Sequence, residues 1–398
     1  MIAGLARLFS EGFRVFFLAA GVFALLAVLY WEFYLGVSLT GGELIAPGFA
    51  PSPYLWHAHE MVFGYASAAL GGFLLTAVPN WTGAKAARWR FIAPAAGLWF
   101  AGRLAVWFSG ALPAELVAAI DLAFLPLMIA KIAVQLTKRP KPQNVAFVVF
   151  LSLLWIANLL VHLEWMGVTA DTAANGLRGG LLSLCLMIGV LGGRVTPAFT
   201  RNAMNRAGLP EARLPVSRRL LDMPGLAALL LLTIAVLAGL PDAVAGILAL
   251  VAGAFALARM AGWSTCWTLD QPILWSLHLA MACLGIGLML WGASWLGIGS
   301  EIAALHLVGI GAVGGMTLAV MSRAVLGHTG RALVASRGVV LAYAAVAAAA
   351  LLRWLASGPL VIWHMELTLI SGAVWCLAFA AYLVAMLPAL TGPRQQAG

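Results

Sequence analysis

The chemistry available to this chain rests mainly on histidine, of which it has seven. The densest constellation is Trp56-His57-Ala58-His59-Glu60-Met61. On a regular helix His57 and His59 point about 200° apart and cannot share one ion. His57, Glu60 and Met61 share a face through their i, i+3 and i+4 spacing. At a frayed helix start the two histidines serve either two centres or one centre in an extended turn. Imidazole with a thioether suits copper, which makes Met61 a candidate copper ligand, and imidazole alone suits haem iron. The chain has no C-x-x-C-H motif, so any haem is held non-covalently. Glu60 is either an outer partner of such a centre or an early-turn residue favoured by the helix dipole.

The other candidates are scattered: His162, His278, His306, His328 and His364. Arg103 and Asp121 form a second polar feature on two consecutive apolar segments, at similar distances from the turn that joins them. They read as a buried ion pair, with proton transfer as the alternative. Asn80, Asn158 and Thr317 are expected to make interhelical hydrogen bonds.

The elements that must position these residues are membrane helices. The sequence is 63% apolar and only 9% charged, whereas soluble domains carry about 25% charged residues. Apolar segments long enough to cross a bilayer run over 14–35, 56–78, 90–109, 112–135, 144–166, 176–195, 222–240, 241–260, 273–296, 301–325, 336–356 and 360–388. The expected fold is therefore an all-α polytopic bundle of about twelve spans, one membrane domain over 1–398. The turn at Leu240-Pro241-Asp242 either separates two spans or interrupts one long one. The first apolar stretch lacks a small-residue cleavage site and reads as a retained helix. Cys185, Cys266, Cys283 and Cys376 form no C-x-x-C pair, which argues against a thiolate metal site.

Basic residues sort to one set of loops. Lys85, Arg88 and Arg90 fall there, as do Lys138, Arg139 and Lys141, the run from Arg194 to Arg219, and Arg323, Arg331 and Arg337. Alternate loops are acidic or neutral, with Glu43, Asp171, Asp242 and Glu301. By the positive-inside rule both termini are cytoplasmic. The basic stretch 196–221 then divides six spans over 14–195 from six over 222–388. The net charge of +9 is thereby explained by orientation, without a nucleic-acid partner. On this frame His57, His59, His162, His306 and His364 share an outer slab, where a metal or haem centre is the leading reading. His278 lies nearer the cytoplasmic end and His328 in a cytoplasmic loop.

The stretches WHAHEMVFGYASAALGGFLLTAVPNWTG (56–83), GGRVTPAFTRNA (192–203) and LHLVGIGAVGGMTLAVMSRAVLGHTGR (305–331) resemble the NnrS family, as do Arg103 and Asp121. The resemblance extends from about residue 10 to residue 388. It implies a bacterial inner-membrane protein with haem b and copper, linked to denitrification and relief of nitric oxide stress. His57, His59, His306 and His328 sit in matching motifs, as does His278 in ILWSLHLA. His162 fits more loosely, and His364 lies in no matching motif. Where the family pattern has a Gly-Tyr pair after His278, this chain has Ala280-Met281. The favoured arrangement is a principal outer centre using His57, His59 and His306. His278 and His328 then form a second site or serve structure.

The function expected is a haem–copper redox protein that meets nitric oxide or a nitrosyl species within the bilayer. The alternative is a transporter of copper, haem or a small anion, which twelve spans in two sets would fit. Against it, the polar residues gather in an outer slab rather than at the midplane, where transporters usually bind substrate.

Overall fold

A computed structural model describes residues 2–42, 44 and 48–395; Glu43, one of the acidic outer-loop positions, lies outside them. The fold is all-helical, with no strand among the described residues. Among the described residues, eleven helices are long and apolar enough to cross a membrane. They are Gly12–Leu39, Pro53–Thr82, Ala114–Leu136, Pro142–Trp165, Ala173–Arg206, Arg219–Leu237, Asp242–Met260, Pro272–Trp295, Glu301–His328, Arg337–Ser357 and Val361–Thr391. Trp89–Trp107 is a further helix of 19 residues that falls outside this set. Its apolar run is interrupted by Arg90 and Arg103, and Arg103 is the residue that carries the polar chemistry below. Counting it third in chain order, the helices are named here first to twelfth.

Local sequence explains where these helices bend and end. The second helix stops after Thr82 because Gly83 takes a left-handed conformation, φ 70°, which glycine adopts without steric cost. The fourth helix breaks between Leu122 and Phe124. Pro126 has no N–H to give to the Leu122 carbonyl, and the Trp155 indole donates to that oxygen instead, at 3.2 Å. Between the seventh and eighth helices the chain turns through Gly239 at φ 66°, so these are two helices and not one. The second and tenth helices each contain a π-helical stretch, Glu60–Tyr65 and Leu307–Gly314. Such stretches widen the turn and are common at functional sites.

The chain divides into two compact units. One comprises 1–183, 321–332 and 382–398, and the other 184–320 and 333–381. In the first, Gly72 lets the second helix approach Phe17 of the first; a Cβ there would lie 2.7 Å from that ring. Arg14 is buried, and its Nη1 donates to the carbonyls of Ala389, Leu390 and Gly392 at 3.1, 2.7 and 3.0 Å. A cation thus caps the end of the last helix, where unpaired carbonyls accumulate. In the second unit the eighth and ninth helices touch through Gly253 and Gly285, a small-residue contact typical of membrane helices. Arg259 is buried there, donating to Asp222 at 2.5 Å and to the Gly189 carbonyl at 2.9 Å.

Candidate metal centre

Four helices of the first unit converge on a buried polar cluster. The second contributes His59 and Glu60, the third Arg103, the fourth Asp121, and the fifth Asn158 and His162, all of them buried. Unpaired, such groups would each cost several kcal/mol away from water, on the order of 2–7 even for an uncharged polar group. Here each finds partners. Arg103 Nη1 donates to Glu60 Oε1 at 2.6 Å, and its Nη2 donates to Asp121 Oδ1. Asp121 Oδ2 accepts from Asn158 Nδ2 at 2.8 Å and from His162 Nε2 at 2.9 Å. His59 Nδ1 donates to Glu60 Oε1 at 3.0 Å, while its Nε2 lies 2.9 Å from Asn158 Oδ1 and 3.3 Å from Asp121 Oδ2.

Sequence features make room for this arrangement. A Cβ on Gly64 would lie 2.9 Å from Arg103 Nη1 and 3.1 Å from Glu60 Oε2. A Cβ on Gly102 would lie 2.9 Å from Asp121 Oδ1 and 3.3 Å from its Cα. Glycine at these two positions lets the third helix approach the second and the fourth. His59 immediately precedes the π-helical stretch. Its widened turn exposes the Gly64 carbonyl to the Trp99 indole, which donates at 3.0 Å. On the fifth helix, Asn158 and His162 share a face by i, i+4 spacing.

His59, Asp121 and His162 each direct one ligand atom to a common point, the three atoms lying within 4.8 Å of one another. Cis ligands on an ion with bonds of about 2.1 Å lie about 3 Å apart. The 2.9 and 3.3 Å separations from Asp121 Oδ2 already match that spacing. The outer partners fit as well. Metal-bound histidines commonly give their second ring N–H to a carboxylate, as His59 does to Glu60. The Trp165 ring lies 5.0 Å from His59 and 5.3 Å from His162. Its buried indole nitrogen has no hydrogen-bond partner, leaving a donor beside both imidazoles.

A porphyrin does not fit this cluster. Both ring nitrogens of His59 face oxygens at 2.9–3.0 Å, so no macrocycle can lie against either.

The other candidate residues lie elsewhere. His57 stacks on Trp31, ring centroids 4.6 Å apart and planes 16° from parallel, so opposite sides of one turn send His57 and His59 into different surroundings. Met61 packs against the apolar cluster around Phe49 and Trp56. His328, at the end of the tenth helix, has its ring 5.5 Å from Phe13. In the second unit, His278 is held between Thr265 Oγ1 at Nδ1 and Thr200 Oγ1 at Nε2, both at 2.9 Å. His306 Nδ1 donates to the Ile302 carbonyl and His364 Nδ1 to the Ala356 carbonyl, each at 2.8 Å. Asn158 and Trp165 were not singled out as site residues by their types. The available signal was their spacing from His162, four residues before it and three after.

The sequence profile described as NnrS protein matches residues 7–394. The chain belongs to the NnrS family. No curated protein matches it. Family membership and the buried His/Asp cluster together fit a metal-binding, multi-pass membrane protein.

Proposed function

We propose that this protein holds a transition-metal ion within the bacterial inner membrane at His59, Asp121 and His162, and uses it to bind nitric oxide or a metal–nitrosyl species. The observation that carries this reading is the convergence of His59 Nε2, Asp121 Oδ2 and His162 Nε2 in a buried site. Ionisable groups inside a membrane are costly and are kept for function. Three of them arranged with ligand spacing serve an ion better than they serve packing. Nitric oxide is apolar and partitions into lipid, so a centre among the helices can meet it without a polar channel. This chain's own groups have separable parts: Glu60 orients His59, Arg103 orients Asp121, and the Trp165 indole offers a hydrogen bond beside the imidazoles. A bound ion would supply the position at which the gas binds.

Copper, which the family resemblance implies, is within the range of this donor set. Haem b would fall to histidines outside the cluster, His57, His306, His328 or His364; His278, with both ring nitrogens against threonine hydroxyls, is excluded on the same ground as His59. The test is metal analysis and optical spectroscopy of detergent-purified protein, before and after nitric oxide. His59→Gln and His162→Gln are expected to lose one class of bound metal while any haem absorbance persists. Undiminished metal content in both variants would sink the assignment.

A further inference from the structure

We infer that this cluster holds ferrous iron in a non-haem site, with Asn158 Oδ1 as a fourth donor; the inference rests on the metal-centre reading above. The three convergent ligands are two imidazoles and one carboxylate. Two histidines and a carboxylate on one face of an ion, with other positions left open, form the donor set of non-haem iron(II). Monovalent copper prefers soft sulfur ligands, whereas the ligand atoms here are nitrogen and oxygen, and Met61 packs in the apolar cluster around Trp56.

The carboxylate is placed to bind through one oxygen only. Asp121 Oδ1 is held by the Arg103 guanidinium, so Oδ2 alone turns toward the imidazoles. A single-oxygen carboxylate keeps coordination positions open for an added ligand. Asn158 Oδ1 stands 2.9 Å from His59 Nε2, which is again a cis separation by the same bond-length argument. A neutral amide oxygen adds a hard donor without adding charge. Entry of the ion displaces protons from Nε2 of His59 and His162, as metal binding to imidazole requires. The hydrogen bonds among these groups are then replaced by bonds to the ion, while Glu60 and Arg103 stay in place. The Trp165 indole, its N–H buried and without a partner, has its ring 5.0 and 5.3 Å from the two imidazoles, which makes it a candidate donor to a ligand in an open position.

The experiment uses the full-length protein in detergent, stripped with a chelator and offered ferrous, cupric or zinc ion without oxygen. Nitric oxide then serves as an electron paramagnetic resonance probe. The expected result is ferrous binding stoichiometric with the chain and a high-spin iron–nitrosyl signal. His162→Gln is expected to weaken ferrous affinity by about 100-fold or more, and Asn158→Ala by about 10–100-fold, with the thermal transition retained. If His162→Gln does not fold, pulsed resonance on the unaltered protein decides, because the inference requires nitrogen couplings from two imidazoles. Stoichiometric copper or zinc at these residues, with no ferrous binding, overturns the iron assignment and leaves the metal-centre reading standing. Retention of none of the three ions overturns both.

Discussion

Asn158 bridges the second and fourth helices: its Oδ1 lies 2.9 Å from His59 Nε2 and its Nδ2 donates to Asp121 Oδ2 at 2.8 Å. One carboxamide on the fifth helix thus braces an imidazole on the second against a carboxylate on the fourth, beside the Arg103 bridge from Glu60 to Asp121. Replacing it with leucine keeps the volume and removes both polar contacts. Asn158→Leu is expected to lower metal affinity by about 10–100-fold, while the helical circular dichroism spectrum stays unchanged. Isothermal titration with the metal checks this, and unaltered affinity would remove Asn158 from the site.

Arg103 is the single guanidinium serving two buried carboxylates. Arg103→Leu leaves Glu60 and Asp121 without their cation, and breaking a buried pair in this way costs about 3–5 kcal/mol. Combining it with Glu60→Gln and Asp121→Asn removes the stranded charge and is expected to recover part of that loss. Thermal unfolding in a fixed detergent measures both. Equal stability of the single and triple variants would mean that the charges are not coupled as described.

Gly64 and Gly102 are spacing residues. Alanine at either places a Cβ within 3 Å of Arg103 or Asp121, and overpacking of this kind costs about 1–3 kcal/mol. Both variants are expected to unfold at lower temperature. A control at Gly97, where a Cβ meets nothing within 4 Å, should stay close to the unaltered protein.

Orientation can be tested on its own. By the positive-inside rule, the sorting of basic residues predicts that both termini and the 196–221 stretch are cytoplasmic. A periplasm-active phosphatase fused after Arg394 should be inactive, and one inserted near Asp242 should be active. The reverse pattern would invert the assignment.

Much of the fold was legible in the sequence because the solvent imposes it: a chain 63% apolar has to place its backbone in membrane helices. The third helix shows where hydropathy alone falls short, since Arg90 and Arg103 lower its apolar character although it is as long as the seventh and eighth helices, 19 residues each. The site was legible in part. His59, Glu60, Arg103, Asp121 and His162 stand out by type, because ionisable side chains are rare in such segments. Their grouping was not visible, since helix order does not determine which faces meet. Asn158 looked like an ordinary interhelical hydrogen-bonding residue, and the π-helical turn beginning at Glu60 leaves no compositional mark.

The Arg14 cap has a consequence for how the protein is made. The cap joins the first helix to carbonyls at residues 389, 390 and 392, at least 375 positions further along the chain. The first helix therefore enters the bilayer long before its guanidinium can find its acceptors. Until residues 389–392 are made, Arg14 must rely on Glu11, 2.8 Å away, and on lipid headgroups or water. Closure of the half that carries the proposed ligands thus waits for the twelfth helix, and a chain shortened before Ala389 would keep every proposed ligand yet lack this closing contact.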